Sequence, residues 1–308
     1  MTVDAARALL APHLAPTPLV RARSLSVPGR GVFLKIETGL PTGSFKVRGA
    51  LYSLSLNAAR RPIAEVVAAS TGNHGAAVAW AARLLGIRAT IFVPARPNPV
   101  KAAHVRELGA RLVEEGRDLS AAIDAAYEHA GRTGAFFLHD AADPDVPFGA
   151  GTIGHEIVEA LPHVDAVYVP MGDTALIRGV AAAVKTHRPS AAIIGVVAER
   201  APAYYLSWRA NEAIETETAD TIADGLAVRR ALAPNVAAIR ALVDDVRMVS
   251  EAELRGAIEW LGVRETVVAE PAGAAATAAF LKEPTAPPVS VLLVTGGNLA
   301  PRGPSRSP

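Results

Sequence analysis

Short runs of apolar, often β-branched residues alternate with stretches of helical periodicity along almost the whole chain. These runs predict strands at residues 32–37, 65–70, 89–94, 110–113, 135–139, 166–170, 192–197 and 289–295. The spacing of apolar positions between them predicts helices at residues 73–85, 99–108, 119–130, 176–187, 251–261 and 272–281. Apolar strands separated by helices are typical of parallel sheets covered by helices, so the pattern predicts an α/β fold.

Two predicted strands end directly before a turn that leads into a helix. Ser70 ends one strand and Asn73 opens the next helix, while Pro170 ends another strand just before Gly172. Open parallel sheets bind ligands beyond the carboxyl ends of their strands. We therefore expect the functional site at this edge.

Composition narrows the class of protein. The chain has 308 residues, of which half are hydrophobic, and its 31 basic and 30 acidic residues give a net charge of +1. This balance favours neither nucleic acid nor a membrane surface as a partner. No cysteine is present, which excludes disulfides, thiol nucleophiles and iron–sulfur clusters. The N-terminal residues do not resemble a signal peptide, and no uncharged apolar run reaches membrane-spanning length, so the predicted location is the cytoplasm.

The string PTGSFKVRGA, at residues 41–50, contains the most informative lysine. A lysine amine is a nucleophile only when it is deprotonated, and burial beside apolar groups such as Phe45 lowers its pKa. Lys46 can then form a Schiff base with an aldehyde cofactor. A lone lysine would be a solvated surface charge, and it is the surrounding string that favours the chemical role.

The string ASTGNHG, at residues 69–75, lies at a predicted strand-to-helix turn. Backbone N–H groups at a helix N-terminus favour an anion, here a substrate carboxylate. The hydroxyls of Ser70 and Thr71 can add donors. An ordinary helix cap explains any one of these residues but not the whole string.

Together with TGGN at residues 295–298, TIADG at 221–225 and AEPAGA at 269–274, these strings resemble the pyridoxal-phosphate enzymes of fold type II. The resemblance is strongest to the threonine/serine dehydratase and serine racemase family, in the tryptophan synthase beta superfamily. It implies two three-layer domains with parallel sheets: a large cofactor-binding domain from residues 1–47 and 144–300, and a small inserted domain at 48–143. Residues 301–308, rich in Pro, Ser and Arg, are predicted to be disordered.

The resemblance also implies roles for individual residues. Lys46 would hold pyridoxal phosphate and remove the substrate α-proton, with Phe45 beside it. Asn73 would bond the phenolic oxygen of the cofactor, and His74 would line the site. Thr71 is ambiguous: serine racemases use a serine there as a second acid/base, whereas many strict dehydratases have an alanine.

The implied phosphate site is residues 171–176. The family usually has four glycines there, whose backbone amides approach phosphate oxygens, and this chain keeps only Gly172. Thr174 can replace part of that donation with its hydroxyl, and Ala175 and Leu176 open the helix. Asp173 would repel a phosphate dianion, so we expect it to point away and cap the helix, although it could instead reshape the phosphate cup.

Four further positions follow from the resemblance. Thr295 would face the pyridine nitrogen, and a neutral hydroxyl there makes the ring a weaker electron sink, which suits β-elimination. Glu270 would lie near the cofactor, although a carboxylate at a helix start also explains it. Some relatives bind a divalent cation through two acids; Val197 and Ala203 stand in those places, so no metal is predicted.

Rival functions have weaker support. Residues 149–154 fit the dinucleotide pattern G-x-G-x-x-G, but the two prolines in residues 143–148 predict a loop where that motif needs a strand. Neither H-E-x-x-H nor G-x-S-x-G occurs in the sequence.

The sequence therefore predicts a pyridoxal-phosphate-dependent ammonia-lyase that converts a β-hydroxy amino acid such as threonine or serine to a 2-keto acid and ammonia. Racemisation, β-replacement and a degenerate relative that only binds amino acids stay open. Relatives are commonly dimers or tetramers, so a homodimer or homotetramer is expected, with a small amino acid as the only other partner.

Overall fold

The computed structural model describes residues 2–70, 72–283 and 285–299. In this part of the chain, ten strands form two sheets. The strands are β1 (Leu19–Arg21), β2 (Gly31–Ile36), β3 (Glu65–Ala69), β4 (Arg88–Val93), β5 (Arg111–Glu114), β6 (Phe136–Phe137), β7 (Ala166–Pro170), β8 (Ala192–Ala198), β9 (Asp245–Val249) and β10 (Val289–Val294).

Eleven α-helices are found in the same described residues. They are α1 (Val3–Leu10), α2 (Lys46–Arg60), α3 (Asn73–Leu84), α4 (Pro99–Glu107), α5 (Leu119–Thr133), α6 (Val146–Ala160), α7 (Ala175–His187), α8 (Ala203–Ala210), α9 (Ala233–Leu242), α10 (Glu251–Trp260) and α11 (Pro271–Leu281). A short 3₁₀ segment spans Asp224–Leu226, and one π-helical turn, Leu261–Glu265, extends α10.

The larger sheet has the strand order β1-β2-β10-β7-β8-β9 and is parallel apart from its antiparallel edge strand β1. Alternate residues of β7 face opposite sides: Tyr168 packs in a cluster with α10 and α11, and Val167 and Val169 pack with α6, α7 and α9. Helices thus cover both faces of this sheet. A strand that is buried on both sides needs apolar residues at every position, which explains the continuous apolar run of β7.

The smaller sheet has the order β5-β4-β3-β6 and is parallel throughout. Val66 and Ile91 pack against α2 and α3 on one face, whereas Val67 and Phe92 pack against α5 on the other. Helices on both faces of two parallel sheets confirm the predicted α/β class.

The sequence pattern missed several elements. β9 was not predicted because it is an edge strand in which exposed Arg247 and half-buried Asp245 interrupt the apolar run. The run at residues 135–139 gives only the two-residue strand β6. Helix α2 has many small and polar residues, and the spacing of its apolar positions did not predict it.

The predicted loop over residues 143–148 is wrong at its end, because α6 begins at Val146. Pro147 occupies the first turn, where its missing N–H breaks no helical hydrogen bond. The glycine motif therefore lies inside a helix. A side chain at Gly149 would clash with the carbonyl of Arg48 on α2, and one at Gly154 would come within 2.6 Å of the carbonyl of Val180 on α7. These glycines let helices pack closely and do not form a phosphate turn.

The four-stranded sheet is built from residues 65–137, and the six-stranded sheet from residues on either side of that range. The domain limits at residues 47/48 and 143/144 stay a prediction, as does disorder at residues 301–308, which lie outside the described residues. In the parts of the chain described, no helix has both the length and the hydropathy needed to cross a bilayer.

Candidate active site

The loops that follow β2 and β10 are held together by backbone hydrogen bonds. The N–H of Phe45 donates to the carbonyl of Thr295 at 3.0 Å, and the N–H of Gly297 donates to the carbonyl of Gly43 at 3.0 Å. Gly43 has a φ of +68°, which glycine adopts without strain. These bonds place the first residue of α2, Lys46, at the carboxyl edge of the larger sheet.

Lys46 is paired with two carboxylates. Its Nζ lies 3.0 Å from Oδ2 of Asp140 and is also in direct contact with Oδ2 of Asp173. The amine lies 5.3 Å from the centre of the Phe45 ring. Burial alone would lower the pKa of Lys46, but the charges of Asp140 and Asp173 outweigh it, so the pKa lies above its ordinary value. The amine is thus an ammonium held by an acidic pair.

Asp173 differs from the expectation in one respect. Its Oδ1 accepts a hydrogen bond from the N–H of Ala175 at 2.9 Å and so satisfies the first N–H of α7, although the N-cap position itself is Thr174. Its Oδ2 does not point away from the site but contacts Lys46. The physical reason is that an unpaired buried ammonium would be costly, and this carboxylate lies within reach of it.

Asp140 was not among the predicted site residues. It follows β6, and its side chain is about a quarter exposed. Burial alone would raise the pKa of Asp140, but the charge of Lys46 outweighs it and holds the pKa well below its ordinary value. Its neighbour His74 is buried, which lowers the pKa of the imidazole, and its Nε2 lies 3.0 Å from the carbonyl oxygen of Leu138. Only the folded chain shows that Asp140 and Lys46 are neighbours.

The predicted phosphate loop follows β7. A side chain at Gly172 would clash with the carbonyl of Gly225, so glycine is required for the close approach of these two loops. Thr174 precedes α7 with a φ of +74°, and Ala175 and Leu176 are the first two residues of that helix. Thr174 is 1% exposed, and its Oγ1 has no hydrogen-bond partner among the described residues.

An orphaned, buried hydroxyl at the start of a helix is suited to an anion, because N–H groups in the first turn of a helix have no intrahelical partner; in α7, however, the N–H of Ala175 already donates to Asp173. Helix α7 has 13 residues and begins beside the loop that contacts Lys46. The residues present therefore fit a phosphorylated aldehyde, with an amine to bond the aldehyde and a helix start to bind the phosphate. The carboxylate of Asp173, by contrast, disfavours the phosphate.

Asn73, the first residue of α3, is held by two neighbours, Glu270 and Asn298. The sequence did not predict either contact. Its Nδ2 donates to Oε1 of Glu270 at 2.6 Å, and its Oδ1 accepts from Nδ2 of Asn298 at 2.8 Å. The same Nδ2 of Asn298 donates to the carbonyl of Thr42 at 2.8 Å. Burial raises the pKa of Glu270 to about 7, against the opposing effect of Asn73.

Other predicted residues are distributed as follows. Ser70 follows β3, and its Oγ accepts from the N–H of Gly72 at 3.2 Å. Thr295 follows β10 and is buried. Thr71 lies outside the described residues. Val197 and Ala203, on which the prediction of no metal was based, lie in β8 and at the start of α8.

Comparisons with known proteins agree with this geometry. A sequence model of the family described as pyridoxal-phosphate dependent enzyme matches residues 10–296. An L-threonine ammonia-lyase of Thermotoga maritima is 39% identical over 274 residues, which cover 89% of this chain and 68% of that protein. Among solved structures, a threonine deaminase of T.th. has a TM-score of 0.91 and 34% identity over 97% of both chains. Maize serine racemase has a TM-score of 0.92 and 30% identity over 97% of this chain and 93% of that one.

The family model matches nearly the entire chain, and the similarity of this chain to the solved structures includes both sheets. Lys46, Thr174 and Asn73 therefore lie in a fold that is shared with proteins of known structure. This chain belongs to the pyridoxal-phosphate-dependent enzymes.

Proposed function

We propose that this protein is an ammonia-lyase that acts on a β-hydroxy amino acid such as threonine or serine and releases a 2-keto acid and ammonia. The observation that carries the proposal is the Lys46 amine, which lies between Asp140 and Asp173 at the carboxyl edge of the larger sheet. The names of the relatives, threonine ammonia-lyase and threonine deaminase, support the choice of substrate class.

Pyridoxal phosphate, when bound, supplies an electron-accepting ring that stabilises negative charge at the substrate α-carbon. Lys46 would hold it covalently, with Phe45 packed beside it. Thr174 and the N–H groups of the first turn of α7 beyond Ala175 would bind its phosphate. Asn73 has a second N–H on Nδ2 that can donate to a ring oxygen, and Thr295 would face the ring nitrogen.

The start of α3 is suited to the substrate carboxylate. Asn73 and His74 present backbone N–H groups at this helix N-terminus, where an anion is stabilised. Ser70 stands on the same turn and can add its hydroxyl. A role of Thr71 in binding or as a second acid/base stays a prediction.

Lys46 would move the protons of the reaction. Its neutral amine takes the α-proton at Nζ, and the resulting ammonium is stabilised by the two carboxylates already paired with it. The β-hydroxyl takes a proton from the Lys46 ammonium and leaves as water. Hydrolysis of the remaining unsaturated amino acid then gives the keto acid and ammonium.

Release of keto acid from L-threonine and L-serine by the cofactor-loaded protein tests this function. We expect turnover of at least one of the two, and we expect Lys46→Ala to reduce the rate by at least about a hundredfold, the lower end of the contribution of a general base. Lys185→Ala is the matched control. Lys185 lies in the last turn of α7 and pairs with Asp244, so this change should leave the rate unchanged.

The result that contradicts the proposal is inversion of an enantiopure serine without keto acid, which would make the protein a racemase. Binding of amino acids with neither reaction would make it a non-catalytic relative. A homodimer or homotetramer, no nucleic-acid partner and a cytoplasmic location stay predictions beside this function.

A further inference from the structure

Two carboxylates compete for the amine that the cofactor requires. Asp140 and Asp173 both contact Nζ of Lys46, and they come from different loops: one after β6 and one between β7 and α7. The Lys46 side chain is only 13% exposed. Water therefore screens this cluster poorly, and each carboxylate acts strongly on the amine.

We propose that Asp173 is a positioning residue that opposes loading of the cofactor, because it holds Lys46 as an ammonium and places a negative charge at the helix start that would bind the phosphate. The proposal concerns cofactor attachment, and it does not depend on which amino acid is the substrate.

The first step of the argument is the state of the amine. An ammonium has no lone pair, so Lys46 must lose one proton before its Nζ can form a bond to the aldehyde carbon. The aldehyde oxygen then leaves as water, and no oxidant or reductant takes part. The proton that Lys46 sheds goes to solvent or to one of the two carboxylates. Both carboxylates favour the charged amine and therefore oppose this step.

The second step separates the two carboxylates. Asp173 caps α7 through its Oδ1, at the helix start that carries the orphaned hydroxyl of Thr174. Asp140 lies in the segment after β6 and is not part of the cap. Only Asp173 stands within the predicted phosphate loop, so it alone should repel the phosphate directly as well as hold the amine.

Other charges near the cluster do not replace this effect. Arg178 in the second turn of α7 interacts electrostatically with Asp173, but its Nη2 donates to the carbonyl of Ala141. The titratable or charged side chains that face Lys46 or its carboxylates, element by element, are His74 on α3, His139 and Asp140 after β6, Asp173 before α7, Arg178 on α7 and Tyr204 on α8.

The test measures covalent attachment to Lys46 in the absence of any substrate. Cofactor-free protein is mixed with pyridoxal 5′-phosphate or with pyridoxal across a range of pH, trapped with borohydride, and the mass of the Lys46 peptide is determined. The variants are Asp173→Asn, Asp140→Asn and Lys46→Ala. The asparagine at 173 keeps an oxygen that can accept from the N–H of Ala175, so the cap of α7 is retained.

We expect both asparagine variants to attach pyridoxal at a lower pH than the parent, by about one unit or more, because one neighbouring charge shifts a pKa by roughly 1–3 units. Asp173→Asn should gain about tenfold more in affinity for pyridoxal 5′-phosphate than for pyridoxal. Asp140→Asn, the matched control, should gain equally for both. Lys46→Ala should show no trapped adduct at that peptide.

Unchanged or weaker attachment in Asp173→Asn would overturn the proposal, because the carboxylate would then assist loading. An equal gain for the two ligands would overturn the part that concerns the phosphate. If Asp173→Asn does not fold, judged by its thermal unfolding, Asp173→Ser provides the same comparison with another good helix cap. A protein that loads as expected but releases no keto acid would refute the proposed function and leave this inference intact.

Discussion

At the scale of single residues, Asn73 illustrates how neighbours orient an amide. Its Oδ1 is held by Asn298 and one of its N–H groups by Glu270, so the amide has one orientation that satisfies both bonds. The second N–H then has a defined direction. Glu270 and Asn298 are thus expected to act through Asn73, which is the residue expected to contact the cofactor.

Glu270 gives a prediction for the dependence of stability on pH. Its pKa is raised by burial to about 7 in the folded protein, from 4.5. Between these two values the unfolded chain binds fewer protons than the folded chain, so this carboxyl reduces stability as pH rises. Glutamine mimics the protonated form and keeps an acceptor for Asn73. We expect the free energy of unfolding of the parent, relative to Glu270→Gln, to fall between about pH 5 and about pH 8.

Urea denaturation of both proteins at the two pH values measures this difference. The control is Glu128→Gln, a change at an exposed glutamate on α5, which should leave the gap between parent and variant independent of pH. A constant gap for Glu270→Gln as well would show that Glu270 is ionised in the folded protein throughout this range.

At the scale of elements, α6 makes close contacts with two other helices through its glycines. Gly149 lies against the backbone of α2, near Arg48, and Gly154 lies against the backbone of α7, near Val180. Helices can approach this closely only where one side lacks a Cβ atom. Helix α6 therefore connects the helix that carries Lys46 to the helix that begins after Asp173.

We expect Gly149→Ala to destabilise the protein, because the added methyl would overlap the carbonyl of Arg48 and force α2 and α6 apart. Overpacking of this kind costs about 1–3 kcal/mol. The matched control is Gly256→Ala, since Gly256 is exposed on α10 and has open space where the methyl would go. Alanine there should stabilise the protein by up to about 1 kcal/mol.

The free energies of unfolding of the two glycine variants, measured in denaturant, should change in opposite directions. Equal stability of Gly149→Ala and the parent would mean that α2 and α6 can separate without loss.

At the scale of the whole molecule, a buried ion cluster joins segments that are distant in the sequence. Arg48 on α2 forms ion pairs with Glu37 after β2, at 2.8 Å, and with Glu156 on α6, at 2.6 Å. Lys35 on β2 also pairs with Glu156. Arg48 is 2% exposed and Glu37 is fully buried, so water cannot solvate either charge and each needs a charged partner.

Removal of Arg48 would leave Glu37 without its cationic partner. Loss of one partner of a buried pair costs about 3–5 kcal/mol, and we expect Arg48→Ala to lose a free energy of unfolding of that size. Arg7→Ala breaks an ion pair between two more exposed side chains, Arg7 at 38% and Glu159 at 61%. This change should lower the free energy of unfolding by less than about 1 kcal/mol. Similar losses in the two variants, measured by urea denaturation, would contradict the structural role given to the Arg48 cluster.

The parts of the fold that could be predicted are those where local sequence and burial agree. β7 and β10 are buried on both faces, so each is an apolar run with clear limits. β1 and β9 lie at the edges of the larger sheet, where one side needs no partner strand, and polar residues weaken their pattern. The first turn of α6 was taken for a loop because a proline is compatible with either.

The sequence by itself determined the α/β class, and it predicted the chemistry at Lys46, Asn73 and Thr295. The class depends on the pattern along the whole chain, and the predicted roles depend on short strings that resemble those of a known family. Only the tertiary structure decided that Asp140 and Asp173 both contact Lys46, and that Glu270 and Asn298 hold Asn73. Such contacts join loops whose spacing in the sequence carries no information about distance, because it is the order and twist of the strands that bring those loops to one edge of the sheet.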